Sequence, residues 1–566
     1  MKPSALARSV LLHLLLVAST ASSSSNVNAR RCKCFPGDAC WPSQRAWENF
    51  NKTVGGRLVR TVPLGSPCHD PHYDEALCET LKNDWRYSEV HIKSSSSMQD
   101  PIFAGASCDP FTPRNTSCQL GNYVHYAVDA TGPQDIAQTI RFATKNNIRL
   151  VIRNTGHDYM GRSTGAGGLA TWVHHLKGVD ILDWADAEYT GKAAKMAAGT
   201  QGCELIEALS SHGLVAVTGQ CPTVGVAGGY TQSGGHSPLS TAFGLSAHNT
   251  LEFEVVTADG RLVTASPSSN ADLFWALSGS GAGNYGVVVS VTLKVHPEAV
   301  TSGASFTIAQ PGLNYPAIVN AWHDALPDVL DAGMMVTYYA ASNAFGVLSL
   351  TGYNRTQAEV AAALAPFATA LAGLGSSMQP AYTQFDTYHE HYVHSYGPLP
   401  VGSFGTAGEW LMGGRLLSRG ALPGLGPELN ETLSLGVALI GQAVSVARFD
   451  APDVRAVAPH WRDAAVMASF VLPFDFAAPF QNMAARQDYI TESVMPRIEA
   501  ATPGGGAYIN EADFQQPDWQ QVFYGGHYPK LKAVKRRYDP KGLFYNSIAV
   551  GSERWEVLNN GRMCEA

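Results

Sequence analysis

The segment PQDIAQTIRFATKNN (residues 133–147) places Ile136, Ile140 and Ala143 on one face at helical spacing. It opens with proline and then an acid, so it predicts an amphipathic helix. IRLVIR (148–153) follows as a short β-type run that empties into NTGHDY, which puts a histidine on the loop leaving a strand. TQGCELIEAL reads as helical, and LEFEVVTADGRLVTAS (251–266) reads as a hairpin turning at Asp259-Gly260. Next, ADLFWALS reads as a helix and VVVSVTLKV as a strand, with GSGAGNYG (279–286) between them. From roughly 300 to 505, strand signals such as GVLSLTGY (346–353) alternate with helix signals such as AEVAAALAPFATALAGL (358–374), which describes a separate α+β lobe. The last section mixes aromatic and polar residues and ends in the helix PKLKAVKRRYDP, with a turn at Asp539-Pro540. No internal repeat of about 20 to 50 residues is present, so a solenoid is not expected.

Length and composition add limits to this pattern. A chain of 566 residues exceeds one average core, so two large lobes with interwoven segments are expected. The divisions read from the sequence are 1–21 as a leader, 22–118 as a cysteine-bearing lead-in, 119–298 and 299–505 as the two lobes, and 506–566 as a segment of its own. Net charge is −8 and no run of five or more Lys or Arg occurs, which excludes an electrostatic nucleic-acid footprint and leaves a small molecule as the expected partner. GSGAGNYG contains a formal G-x-G-x-x-G, but a dinucleotide fingerprint needs a strand before it and a helix after it. Here the order is reversed, so a nicotinamide-binding Rossmann unit is rejected. The glycines instead let backbone approach something closely.

The N-terminus carries Lys2 and Arg8, then the apolar run VLLHLLLVA, then ASTASSSS, which is the pattern of a secretory signal peptide. The run is far shorter than the roughly 20 residues that span a bilayer, so a secreted protein without a membrane anchor is expected. Sequons at Asn51, Asn115, Asn354 and Asn430 agree with passage through a glycosylating pathway. Seven of the ten cysteines fall before residue 120, which in an oxidising compartment favours disulfides over zinc at the CKC pair. Cys203 reads as a buried inert thiol. Cys221 lies in GQCPTVGVAGG, a loop flanked by Pro222 and glycines. Simple pairing could use all ten cysteines; if these two are free, eight remain, and Cys564 ties the tail to the body.

Two side chains carry candidate chemistry. His157 and Cys221 both stand on glycine-rich loops, where backbone can approach a planar ligand and supply N–H groups to phosphates. An imidazole and a thiolate are suited to attack a flavin at its 8α methyl and its C6. A loop histidine and a lone cysteine also have plainer uses, as a hydrogen-bonding residue and as a core thiol. YHEHYVHSYG (388–397) is tempting as a metal cluster, but His389, His391 and His394 fit no helix-borne zinc spacing. A polar, aromatic pocket wall or surface strand is the reading adopted.

GHDY with upstream VIRNT, the CPTVG pentad, ALSGSGAGNYGVV, and YIN followed by YGGHYPKLKAVKRRYDPKGLF resemble the berberine bridge enzyme branch of the vanillyl-alcohol oxidase flavoprotein family. The lead-in and tail look closest to fungal secreted, isoamyl alcohol oxidase-like members. The resemblance implies an α+β fold, with a two-part PCMH-type FAD-binding domain, an α+β substrate domain, and a C-terminal segment that returns to the FAD domain. It implies FAD attached twice, through 8α to His157 and through 6-S to Cys221. The cofactor site would also draw on Arg153, Asn154, Thr155, Gly156, Asp158, Gly161, Arg162 and Ser163 of the first loop, and on Gly225, Gly228, Gly229, Gly234 and Gly235 of the second. Gly283, Gly286, Val287, Asn510 and Asn546 complete it. Tyr159 matches the family tyrosine that faces substrate. Many relatives read YxNY where this chain has Tyr508-Ile509-Asn510-Glu511, so Tyr159, Tyr508 and Glu511 are the catalytic candidates. Glu511 is either a base in an aromatic pocket or a carboxylate turned outward into a salt bridge. His527 stands where relatives often have asparagine.

The expected function is a secreted FAD oxidase that moves hydride from an alcohol, hydroxylated aromatic or secondary-metabolite substrate to flavin N5, with O2 reoxidising the flavin to give H2O2. An oligosaccharide substrate is the alternative, with a long open groove as its signature. A non-redox secreted binding protein that retains flavin as scaffold is a third reading. No metal is expected.

Overall fold

A computed structural model describes residues 31–309, 313–403 and 408–566; the leader read at 1–21 lies outside the described residues. Three sheets organise the molecule. The first has four strands in the order Leu58–Arg60, Tyr126–Asp129, Leu169–Trp172, Leu150–Arg153, with the last three parallel. The helix Pro133–Lys145 covers it with Ile136, Ile140 and Ala143 buried, the face set by their spacing. The helix stops where Asn147 turns to positive φ.

The second sheet is antiparallel, in the order Val179–Ala185, Thr190–Ala197, Gly286–Lys294, Thr250–Thr257, Leu262–Ala265. The Asp259-Gly260 turn joins its last two strands, and Ala271–Leu277 is the helix ahead of Gly286–Lys294. The third sheet has seven antiparallel strands, in the order Ala381–Phe385, Thr301–Ile308, Ala344–Tyr353, Met335–Ala341, Ala438–Ala443, Ala464–Pro473, Trp410–Ser418. Leu411, Leu439, Ala468 and Phe470 face a core shared with the helices Tyr315–Asp331, Gln357–Gly373 and Gly426–Ser434. Because side chains alternate along a strand, Trp410, Met412, Ile440, Gln442, Ser469 and Val471 point the other way, toward the first two sheets.

The N-terminal section is built into the first lobe. Trp47 and Phe50 on the helix Gln44–Thr53 pack on Phe142, with Phe50 and Phe142 stacked 4.1 Å apart, and Leu58–Arg60 extends the sheet. The tail returns to the same body. Buried Lys535 Nζ donates to the carbonyls of Asn284 and Phe544, each at 2.5 Å, and to Asp539 at 2.8 Å.

Disulfides join Cys32 to Cys564, Cys34 to Cys40, Cys68 to Cys78 and Cys108 to Cys118, while Cys203 and Cys221 are free. Burial pushes the Cys203 thiol up to about 11, as suits an inert core group. No helix among the described residues is long and apolar enough to cross a membrane.

One expectation is corrected. YHEHYVHSYG is not a strand: Tyr388–Tyr396 is a helix with Glu390 and His394 exposed, started by a reciprocal cap between Thr387 and Glu390. Tyr388, Tyr392 and Tyr396, four residues apart, are all buried on one face, and this period outweighs the aromatic content that suggested a strand.

Burial holds several imidazoles neutral. His323, hydrogen-bonded to the Tyr338 hydroxyl at 2.7 Å, is pushed down to about 4. An unfolded chain carries this imidazole near an ordinary value of about 6.5, so between these values it binds more protons than the folded chain. Stability from this group is therefore complete above about pH 6.5 and is lost as pH falls toward 4. A His323→Phe variant, whatever its absolute stability, is expected to show a shallower acid-side loss by up to about 1.4 kcal/mol per pH unit. Urea unfolding between pH 4.5 and 7 measures this, and an unchanged slope would contradict it.

Candidate active site

Three glycine-rich loops and the tail meet around one cavity of about 400 Å³, roofed by the seven-stranded sheet. The first loop leaves the strand Leu150–Arg153. Gly156 has φ +81, and a Cβ there would strike the Arg153 guanidinium, so glycine is required. Arg153 is fully buried beneath the loop and donates to the carbonyls of Ser94 at 3.1 Å and His91 at 3.0 Å. Asp158 shapes the following turn by accepting from the backbone N–H groups of Met160 at 3.0 Å, of Ser163 at 2.9 Å and of Arg162.

The second loop carries Cys221 into a π-helical turn, Val226–Tyr230. Thr223 Oγ1 lies 2.8 Å from His157 Nε2 and 3.2 Å from Cys221 Sγ, so the two candidate nucleophiles flank one hydroxyl. Burial pushes His157 down to about 3, reinforced by nearby His91 and Arg153, so its imidazole is neutral at neutral pH. Burial also raises the Cys221 thiol, opposed by its hydrogen bond to Thr223.

From the tail, Asn510 Nδ2 donates to the Gly229 carbonyl at 2.8 Å and to the Tyr508 hydroxyl at 2.9 Å, while Ser233 donates to Asn510 Oδ1 at 2.8 Å. Asn546 holds the third loop by donating to the Ala282 carbonyl at 2.8 Å. Glu511 lines the cavity, and its carboxylate accepts a hydrogen bond from His236 Nε2 at 2.8 Å, so it has a partner without being turned outward. Tyr159 and Tyr508 also line it. Burial first, then the charge of Glu511, raises both phenols well above their ordinary value, which leaves them protonated hydrogen-bond donors.

Of the residues expected at the cofactor, Asn154, Thr155, Gly156, His157, Asp158, Arg162, Ser163, Cys221, Gly225, Gly228, Gly229, Gly283, Gly286, Asn510 and Asn546 line the cavity. Arg153, Gly161, Gly234, Gly235 and Val287 do not. Arg153 braces the loop from below, and a Cβ on Gly161 would strike the ring of Phe103. Gly234 and Gly235, both at positive φ, form the bend before His236. Val287 faces the opposite core from Gly286 and Val288, as alternation on a strand demands.

Sequence reasoning missed His236, Tyr230, Gln232 and the sheet roof. GGHSPL offered a histidine after two glycines, and alternation in WLMGG was the signal for Trp410 and Met412. It also missed Gln220, whose Nε2 donates to Thr337 Oγ1 at 2.5 Å and to Gln442 Oε1 at 2.9 Å, tying the Cys221 loop to the roof.

The open donors and acceptors fit a flavin dinucleotide. Asn154 Oδ1, Arg162 Nε and Gln232 Oε1 are buried on cavity-lining residues without a partner, and side-chain-free backbone at Gly225, Gly228 and Gly229 leaves room for a flat ring. The imidazole of His157 and the thiol of Cys221 stand at one wall, and the Glu511 carboxylate lines the same cavity.

Comparison with known proteins agrees with this geometry. Residues 124–266 match the FAD binding domain family, and residues 507–551 match the berberine and berberine-like family. The FAD-linked oxidoreductase ZEB1 of Gibberella zeae is 47% identical, over 94% of this chain and 95% of the relative. The VAO-type flavoprotein oxidase VAO615 of Thermothelomyces thermophilus is 38% identical, over 98% of this chain and 99% of its own. The crystal structure of the VAO-type flavoprotein MtVAO615 from Myceliophthora thermophila superposes with a TM-score of 0.90 at 38% identity, covering 94% of this chain and 100% of that one. Glucooligosaccharide oxidase from Acremonium strictum, a structure concerned with its 6-S-cysteinyl, 8α-N1-histidyl FAD, shares the fold. Its TM-score is 0.60 at 20% identity, over 76% of this chain and 92% of its own.

Proposed function

Since the chain belongs to the berberine bridge enzyme-like, VAO-type FAD-linked oxidoreductases, we propose that it is a secreted alcohol oxidase holding FAD by two covalent bonds, at His157 and Cys221. The observation that carries this reading is the shared contact of His157 Nε2 and Cys221 Sγ with one hydroxyl, at 2.8 and 3.2 Å. With Nε2 engaged by Thr223, Nδ1 is the ring nitrogen left for attachment, in keeping with the 8α-N1-histidyl attachment named for the Acremonium strictum oxidase.

FAD, when held by these loops, would supply the hydride acceptor, with O2 as the final oxidant. The chain's own residues orient the substrate and take its proton. Glu511 is the base. His236 donates to Oε1, which holds the carboxylate in place and leaves Oε2 for the substrate hydroxyl. Tyr159 and Tyr508, protonated, donate to the substrate oxygen.

Among the described residues, Trp410, Met412, Ile440 and Val471 give the roof an apolar character, interrupted by Gln442 and Ser469. Such a wall suits a compact alcohol with an apolar body better than an oligosaccharide, whose hydroxyls need many polar partners. Four disulfides support passage through an oxidising compartment. Asn115 and Asn354 are exposed and suit glycan attachment. Asn51 and Asn430 lie within helices and are partly buried. A peroxide-release screen over alcohols, phenolics and sugars, run on protein shown to hold flavin, tests the reading. Turnover confined to sugars would overturn the substrate class.

A further inference from the structure

Thr223 is 2% exposed, and its backbone is fixed, with its carbonyl accepting from Gln201 Nε2 at 2.7 Å. A threonine hydroxyl has one hydrogen to donate. It cannot donate to both His157 Nε2 and Cys221 Sγ, so any proton leaving one of them has a ready path to the other. Because burial holds His157 neutral, the transfer accompanies attack: as the Cys221 sulfur bonds to the ring, its proton passes to Thr223 and the Thr223 proton passes to Nε2, with no free thiolate standing beside an imidazolium. When Nε2 carries a hydrogen donated to Thr223, Nδ1 keeps the lone pair. Both nucleophilic forms pass through the one hydroxyl.

We propose that Thr223 is the proton relay of flavin attachment, activating Cys221 and setting the reactive tautomer of His157. This rests on the double attachment proposed above. At sulfur, an S–H and the ring C6–H are lost and one S–C bond forms. At nitrogen, an N–H and a methyl C–H are lost and one N–C bond forms. In each case O2 is the oxidant and leaves as H2O2 with both hydrogens.

The test compares wild-type protein with Thr223→Val and Thr223→Ala, two variants of opposite steric demand that both lack the hydroxyl, and with Thr223→Ser, which keeps it. Mass spectrometry of the peptides bearing His157 and Cys221 reads the share of each that carries flavin, independently of turnover. The expected result is a Cys221 share at least about tenfold lower in both hydroxyl-free variants, a reduced His157 share, and recovery in Thr223→Ser. Wild-type shares at both positions in either Thr223→Val or Thr223→Ala would overturn the relay while leaving double attachment standing. Wild-type protein lacking either bond would overturn double attachment itself.

Discussion

Replacing Glu511 by glutamine is expected to lower kcat by about 10²- to 10⁴-fold, the usual worth of a general base, with flavin content unchanged. The amide keeps the shape and still accepts from His236 Nε2, now 2.8 Å from the carboxylate, but it cannot take the substrate proton. Stopped-flow reduction under anaerobic conditions isolates this step, since a base acts on flavin reduction and not on reoxidation by O2. His236→Asn, which keeps a donor but removes the ring, is expected to have a smaller effect, as befits a positioning residue. Full-rate reduction in Glu511→Gln would overturn the base role of Glu511; Tyr159 and Tyr508 are held protonated by burial and do not replace it.

The second large effect concerns the cofactor. His157→Ala and Cys221→Ala singly are each expected to leave one covalent bond, so the colour stays with acid-precipitated protein. The double variant is expected to release all of its flavin into the supernatant. The single variants are also expected to react more slowly, because each bond withdraws electron density from the ring and raises its potential. Colour retained by the double variant would sink the assignment.

How far this was legible in the sequence depends on whether the signal is local. The helix Pro133–Lys145, the hairpin at Asp259-Gly260 and the strand after GSGAGNYG follow from period and turn chemistry within some fifteen residues, and each is where it was expected. Fifteen of the expected cofactor residues line one cavity for the same reason, since they sit on three contiguous loops and a tail motif. What the sequence hid depends on distant pairing. Ala438–Ala443 lies between Met335–Ala341 and Ala464–Pro473, and no local pattern announces that Gln442 faces Gln220, which is 222 residues away. The partner of Glu511 was hidden likewise: His236 is 275 residues distant, and only the fold decides that a carboxylate read as facing inward or outward is paired while lining the cavity. Four of the five expected residues outside the cavity share one cause. For Arg153, Gly161, Gly234 and Gly235, a motif records that a glycine or arginine is needed, but not whether the need is for a ligand or for the loop beneath it; Val287 is turned away by strand alternation.

The Cys32–Cys564 bridge spans 532 residues. Backbone bonds from Lys33 to Met563 and from Glu565 to Arg31 flank it. Almost the entire described chain is thereby a covalent ring. A single proteolytic cut in an exposed loop opens the ring without freeing a fragment, so a nicked molecule keeps both lobes around its flavin until a reductant reaches that one sulfur–sulfur bond. On a gel, such a molecule runs as one band without thiol and as two with it.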